Sequence, residues 1–220
     1  MMQCLWPDRF AHLEHSVLKQ KFPKERNYAK PGTFSIPYGG DGKTIARNCK
    51  VSIEQGIKAY ETFMNMFSGL KIFFANSEKQ ALRNGYILIN NITGRKVFLQ
   101  GYEEYRELRI KSTLTHEEYK FKTRYENIIS RRARNYPIQG TGSDMVKAAS
   151  VLIYKALEKE NLLNTVLWPC IVHDELDLEA PDEIAPYIAE IVKTKMEEAG
   201  KIFCPDIPII VEPEIKKTWL

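Results

Sequence analysis

The chain has 220 residues, 44% of them hydrophobic and 27% charged, which are the proportions of an ordinary globular protein. No apolar run is long enough to span a bilayer and the N-terminus lacks a signal-peptide pattern, which argues against membrane and secreted classes. With 32 basic and 28 acidic residues the net charge is +4, a slight bias toward an anionic partner.

The four cysteines, Cys4, Cys49, Cys170 and Cys204, are scattered, with no CxxC pair and no zinc-type spacing. They read as reduced thiols of a cytosolic protein. The basic residues gather in two stretches, KQKFPKERNYAK (19–30) and KFKTRYENIISRRAR (120–134). Both mix Lys and Arg with aromatics, as does a surface that follows a phosphate backbone, and as does a solvated helix face.

Pro23 suits the first turn of a helix. Within RNYAKPGTFSIPYG (26–39), Arg26, Lys30, Phe34 and Tyr38 recur every fourth residue. On a single helix they would line one face along about 18 Å. Two cations followed by two aromatics suit a nucleoside triphosphate, the cations on phosphate and the rings against sugar and base. An amphipathic helix with core aromatics and solvated cations has the same spacing. Ile53, Ile57, Tyr60, Met64 and Phe67 predict a helix with those residues inward, ended by Ser68–Gly69.

Another helix is predicted over 70–83, then a hairpin over NGYILINNITGRKVFL (84–99). Residues 101–118 are polar and charged and carry no assignment. Helices are predicted over 119–133 and over 141–160, the latter with Met145, Ala149, Leu152 and Ala156 on one face. Next, IVHDELDLEA (171–180) sets His173, Asp174 and Glu175 between an apolar approach, 165–172, and the alternating Leu176, Leu178 and Ala180. This reads as a β-hairpin holding carboxylates at its tip, either a solvated acidic turn or a site for a cation. A helix opened by PDE (181–183) and a strand over 207–215 complete an α+β chain.

Three ordered blocks carry a family resemblance. The Arg-x3-Lys-x3-Phe-x3-Tyr-Gly spacing of 26–39 resembles the O-helix signature of family A DNA polymerases, the bacterial DNA polymerase I type. RRARNYPIQGTGSDMVKAA (131–149) is similar to the family's R-x3-N-x-P-x-QGT-x2-D segment, and IVHDE (171–175) to its palm hairpin. Trp219 also fits. The matches span about 26–220, and their order makes them specific.

The resemblance implies a helical fingers-like portion over 1–118, with 1–20 unassigned, and the C-terminal half of a palm over 119–220, an antiparallel sheet with packed helices. It also implies roles. Asp174 would bind a catalytic Mg2+ pair, with Glu175 a weaker ligand or a structural neighbour, and His173 would approach the primer terminus. Arg131, Asn135 and Gln139 would contact primer–template DNA by backbone and minor-groove acceptors. Arg26 and Lys30 would grip the triphosphate of a dNTP, with Lys30 also the proton donor to departing pyrophosphate. Phe34 would face the deoxyribose and Tyr38 the nascent base pair. The physical chemistry agrees, because phosphoryl transfer needs positioning and charge neutralisation, which two metals about 4 Å apart on rigid carboxylates supply.

The sequence departs from the family in one important respect. The family's second aspartate, in an Asp-Tyr-Ser-like strand ahead of the O helix, has no counterpart here; Asp8 sits in WPDRFAH, a poor strand context. Thumb and exonuclease segments are likewise missing. The expectation is one part of a split, phage-like DNA polymerase, completed by another polypeptide, working in the cytoplasm and inactive alone. A non-catalytic primer–template or nucleotide-binding remnant and a relative of single-subunit RNA polymerases are the alternatives. Pro31 and Pro37 fall inside the O-like helix, where each removes an N–H and can kink it.

Overall fold

The computed structural model describes residues 1–218; Trp219 lies outside them. Seven helices come first: α1 (Met2–Leu5), α2 (Pro7–Phe10), α3 (His15–Lys21), α4 (Pro23–Ser35), α5 (Gly42–Cys49), α6 (Ile53–Met66) and α7 (Ser68–Asn84). Then follow the hairpin β1 (Tyr86–Leu88) and β2 (Lys96–Phe98), α8 (Tyr102–Ile110), the long α9 (His116–Lys159), the hairpin β3 (Leu167–Val172) and β4 (Glu175–Glu179), and α10 (Ala185–Phe203). Both sheets are two-stranded and antiparallel. This is the α+β class that the sequence predicts.

The chain divides into two compact units. One holds Met1–Leu88 and Lys96–Pro137; the other holds Ile89–Arg95, the loop between β1 and β2, and the chain from Ile138 onward. The first has a core around Phe10, Leu18, Ile36, Ile45 and Phe63, and another around Ile87, Leu99, Tyr125 and Ile129. The second is built on Ile153, Leu157, Val166, Ile188 and Val192.

Local chemistry sets the helix ends. Asp41 caps α5, accepting from the Thr44 N–H at 2.8 Å and its hydroxyl at 2.9 Å, and these bonds hold its carboxyl below the ordinary value. Ser52 and Gln55 form a reciprocal capping box on α6. Gly85, at φ +75°, ends α7 in the left-handed conformation that favours glycine.

The core face of α6 is only partly the one expected, with Met64 buried and Tyr60 packed against the core. Ile53 is 60% exposed and Ile57 is also exposed, while Gly56, Ala59, Phe63 and Met64 are buried. The cause is backbone approach: a Cβ on Gly56 would lie 2.3 Å from the Gly42 carbonyl oxygen, so α5 and α6 meet at their small residues. Ser68 and Gly69 open α7 instead of simply ending α6. The unassigned stretch 101–118 contains α8.

Two further expectations are corrected. The helices predicted over 119–133 and 141–160 are one helix, α9, which runs through Pro137 and the Gly140 and Gly142 positions. Pro137 removes one N–H from the ladder. Gly140 is required by packing, since a Cβ there would lie 2.6 Å from Ile89 Cγ2. Tertiary contacts thus override the local breakers. The strand predicted over 207–215 is irregular. It lies along α10, where Gly200 abuts Ile209 and the Val211 N–H donates to Glu197 at 3.2 Å, and its backbone finds no ladder partner among the described residues.

Candidate active site

In the second unit, β3 and β4 pair with Val172 opposite Glu175, so the connecting turn is His173–Asp174 alone. His173 has φ +56°, a left-handed conformation uncommon for a residue with a Cβ. Trp168, Leu176 and Leu178 face inward onto the Ile153–Val192 cluster, which fixes the hairpin. Alternation along β4 then sends Glu175 into solvent, and Asp174, in the turn itself, is exposed beside it. Glu175 is the first residue of β4, and Asp174 alone occupies the turn tip beside His173.

The neighbouring carboxylate, Asp177, is engaged by the Cys170 thiol, which donates to it at 3.1 Å. That hydrogen bond, with some desolvation and the charge of Asp177, pushes the Cys170 thiol up from its ordinary value. All four cysteines carry free thiols. Among the described residues no three metal-binding side chains cluster. The available donor set is therefore two adjacent, solvent-facing carboxylates. Hard oxygens in small number fit Mg2+, which keeps several waters and takes substrate phosphate for its remaining positions. They do not make a closed protein cage.

In the first unit, α4 carries Arg26, Lys30 and Phe34 in one row, with Arg26 half-buried and Lys30 and Phe34 exposed, while Ala29 and Gly32 are buried. Lys30 Nζ lies 5.6 Å from the centroid of the Phe34 ring, and both side chains are exposed. Tyr38 is not on this helix. The helix ends at Ser35, because Pro37 offers no N–H to carry the ladder on. The chain turns tightly over 36–39, with the Tyr38 N–H donating to the Ser35 carbonyl at 3.1 Å and the Gly40 N–H to the same oxygen at 2.8 Å. Gly39, at φ +81°, permits that turn, and a Cβ there would lie 3.2 Å from Arg131 Cγ. The turn bearing Tyr38 thus lies against Arg131, bringing together two site residues that are far apart in sequence.

Farther along α9, Arg131 and Gln139 are exposed, whereas Asn135 is 8% exposed and buried. Arg26, Lys30, Phe34, Tyr38, Arg131 and Asn135 belong to the first unit; Gln139, His173, Asp174 and Glu175 belong to the second.

The sequence reading gave no role to one densely connected polar group of the second unit. Asp144 is buried and accepts from Arg95 Nη2 at 2.9 Å, Arg95 Nε at 3.2 Å, Asn90 Nδ2 at 2.9 Å and Thr93 Oγ1 at 3.2 Å. Burial pushes its carboxyl up, but the hydrogen bonds from Arg95 and Asn90 and the Arg95 charge outweigh that and hold it below the ordinary value. Arg95 also donates to the Gly140 carbonyl at 2.9 Å, which pins the backbone beside Gln139. The signal available was an acid inside a helix pattern, following a Gly-rich interruption.

Helices with small two-stranded sheets and an acidic hairpin, in this order, define a nucleic-acid polymerase fold, and residues 9–220 match DNA polymerase family A, to which the chain belongs. It is 30% identical over 197 residues to DNA polymerase I of Caldicellulosiruptor bescii, covering 90% of this chain and 20% of that protein. It is 27% identical to DNA polymerase I of Aquifex aeolicus, covering 89% of this chain and 30% of the relative, and 27% identical to the thermostable DNA polymerase I of Thermus aquaticus, covering 90% and 21%. The fold is similar to that of the polymerase domain of Pol1 from M. smegmatis, solved with DNA primer-template and dNTP. That likeness has a TM-score of 0.65 at 22% identity and covers 83% of this chain and 29% of the other. The chain therefore spans between a fifth and a third of the length of these relatives. No helix among the described residues is long and apolar enough to cross a membrane.

Proposed function

We propose that this chain is part of a template-directed DNA polymerase that extends a primer 3′ end with deoxynucleotides, the second catalytic aspartate and the thumb coming from other polypeptide. The single observation that carries the reading is Asp174 at the tip of a two-residue turn on a packed hairpin, in a chain of family A. Asp174 would hold Mg2+, with Glu175 the weaker ligand. When bound, Mg2+ would neutralise phosphate charge and orient in-line displacement. His173 would lie beside the primer terminus. Arg26 and Lys30 bind the triphosphate, and Lys30 gives a proton to the departing pyrophosphate. Phe34 lies against the deoxyribose and Tyr38 against the nascent pair. Arg131, Asn135 and Gln139 contact primer and template. The fingers-like portion is 1–118 and the palm half 119–220.

The open sheet supports the need for further polypeptide. Among the described residues β3 pairs with β4 alone, and beside it Tyr154, Ile171 and Trp168 line a groove of about 570 Å3. The Trp168 indole N–H is buried without an acceptor among the described residues. An edge with apolar flanks is a place for another strand.

Primer extension tests the proposal. The isolated chain is expected to be inactive, and addition of a polypeptide carrying the Asp-Tyr-Ser-like strand and thumb is expected to restore synthesis. In that complex Asp174→Ala abolishes extension and leaves primer–template affinity within about threefold, since a metal ligand acts mainly in the transition state. Normal extension by the Asp174 variant would remove the hairpin from the site. Robust Asp174-dependent synthesis by the isolated chain would overturn the need for a partner, with Asp8 the first other carboxylate to examine.

A further inference from the structure

In the first unit an open groove of about 580 Å3 runs along one face of α9. The opposite face, with Phe121, Tyr125, Ile129 and Ala133, packs into the core. On the open face Lys120 and Arg124 stand one turn apart, and Thr123, Asn127 and Arg131 follow at the same i, i+4 spacing. Tyr119, at the N-terminal end of this stripe, is 60% exposed. The stripe therefore reaches about three turns beyond Arg131, along the basic stretch 120–134.

Its charge is only partly compensated. Glu126 is the single acid between 119 and 131, and it faces away, accepting the buried Tyr105 hydroxyl at 3.0 Å. Arg124 and Arg131 form no ion pair among the described residues. Lys120 has Glu117 at 3.6 Å, with both side chains mostly in water. Cations along one helix face complement a phosphate backbone, and the hydroxyl and amide between them add donors. An open tyrosine can stack on a base only where the base face is free, which a duplex does not offer.

We propose that this face of α9 binds single-stranded DNA, with Lys120, Arg124 and Arg131 on phosphates and Tyr119 stacked on a base. The inference extends the polymerase reading by giving the unpaired template a surface, and its readout is binding, so it stands or falls independently of Asp174.

The test uses the full chain and fluorescence anisotropy with a labelled 20-nucleotide oligothymidylate and a mixed-sequence 20-base-pair duplex (probe lengths of about two helical turns). The Lys120→Gln/Arg124→Gln variant is expected to bind the single strand about tenfold more weakly at low salt. Its log-affinity against log-salt slope should flatten by about 1.4, roughly 0.7 for each phosphate that is no longer neutralised. Tyr119→Ala should weaken the same complex about fivefold with the slope unchanged, and Tyr119→Phe should restore it, because the ring is what stacks. Duplex binding should change less than about twofold in all three. Asp174→Ala should keep full single-strand affinity, so that loss of catalysis and loss of this surface are told apart. Circular dichroism should be unaltered, since every changed side chain is exposed. Unchanged single-strand affinity and slope in the double variant would overturn the proposal. Equal losses on single strand and duplex would overturn it too, by making the face a general phosphate patch.

Discussion

Arg95 grips Asp144 with two nitrogens, Nη2 at 2.9 Å from Oδ1 and Nε at 3.2 Å from Oδ2, and so ties the loop after β1 to the middle of α9. Asp144 is 6% exposed and Arg95 39%, so one partner is shielded from water and the other is screened by it. Asp144→Asn should destabilise the fold by about 2 kcal/mol, below the full cost of breaking a buried pair because Arg95 can turn to solvent. The pH dependence has a definite sign. A carboxyl depressed in the folded state contributes stability above its unfolded value, near 3.8, and loses it as pH falls through the folded value. Urea melts at pH 7 and in mild acid should therefore show the gap between wild type and variant closing below pH of about 4.

The turn conformation of His173 separates strain from function. At φ +56° a Cβ costs on the order of 1 kcal/mol, which glycine avoids. His173→Gly should be more stable than His173→Ala by about that amount in urea unfolding. Both variants should extend primers poorly in the reconstituted polymerase, since neither has the imidazole. Equal stabilities would mean the turn relaxes freely.

Sugar selection tests Phe34. Its ring can present only an edge to a deoxyribose, whereas a tyrosine there could donate a hydrogen bond in place of one that a missing 3′-hydroxyl would have made. Phe34→Tyr should raise incorporation of dideoxynucleotides relative to deoxynucleotides, by about tenfold if one hydrogen bond is gained. Competition in an extension assay measures the ratio. An unchanged ratio would place another residue against the sugar.

The contact between α5 and α6 gives a prediction opposite to helix propensity. By propensity Gly56→Ala should stabilise α6 by about 1 kcal/mol. The added Cβ would lie 2.3 Å from the Gly42 carbonyl oxygen and 2.7 Å from Ala46 Cβ, and a backbone carbonyl cannot swing aside. Net destabilisation of about 2 kcal/mol is expected by thermal and urea unfolding, from overpacking.

What the sequence made legible was local. The α4 start at Pro23, both hairpins and the acidic turn that exposes Asp174 follow from turn chemistry and side-chain period. What it hid depends on packing between distant segments. Ile53 and Ile57 carry the helical period of α6, yet the buried stripe runs over Gly56 and Ala59, because the approach of α5 favours absent side chains over large ones. Tyr38 keeps the four-residue spacing but leaves the helix, since Pro37 acts on the backbone and a spacing count ignores it. Asp144 looked like one more helix acid because its partners lie about fifty residues earlier.

The passage of α9 through Pro137, Gly140 and Gly142 has a kinetic consequence. Those residues do not hold a helix by themselves. Here the helix is held by Ile89 against Gly140, by Arg95 on the Gly140 carbonyl and by the Asn90–Asp144 bond across 54 residues. Closing so long a loop is slow compared with winding a helical turn. During synthesis the 89–95 loop emerges well before its partner and must wait for it. The middle of the longest helix is then among the last parts of the chain to become ordered, although its two ends can wind early.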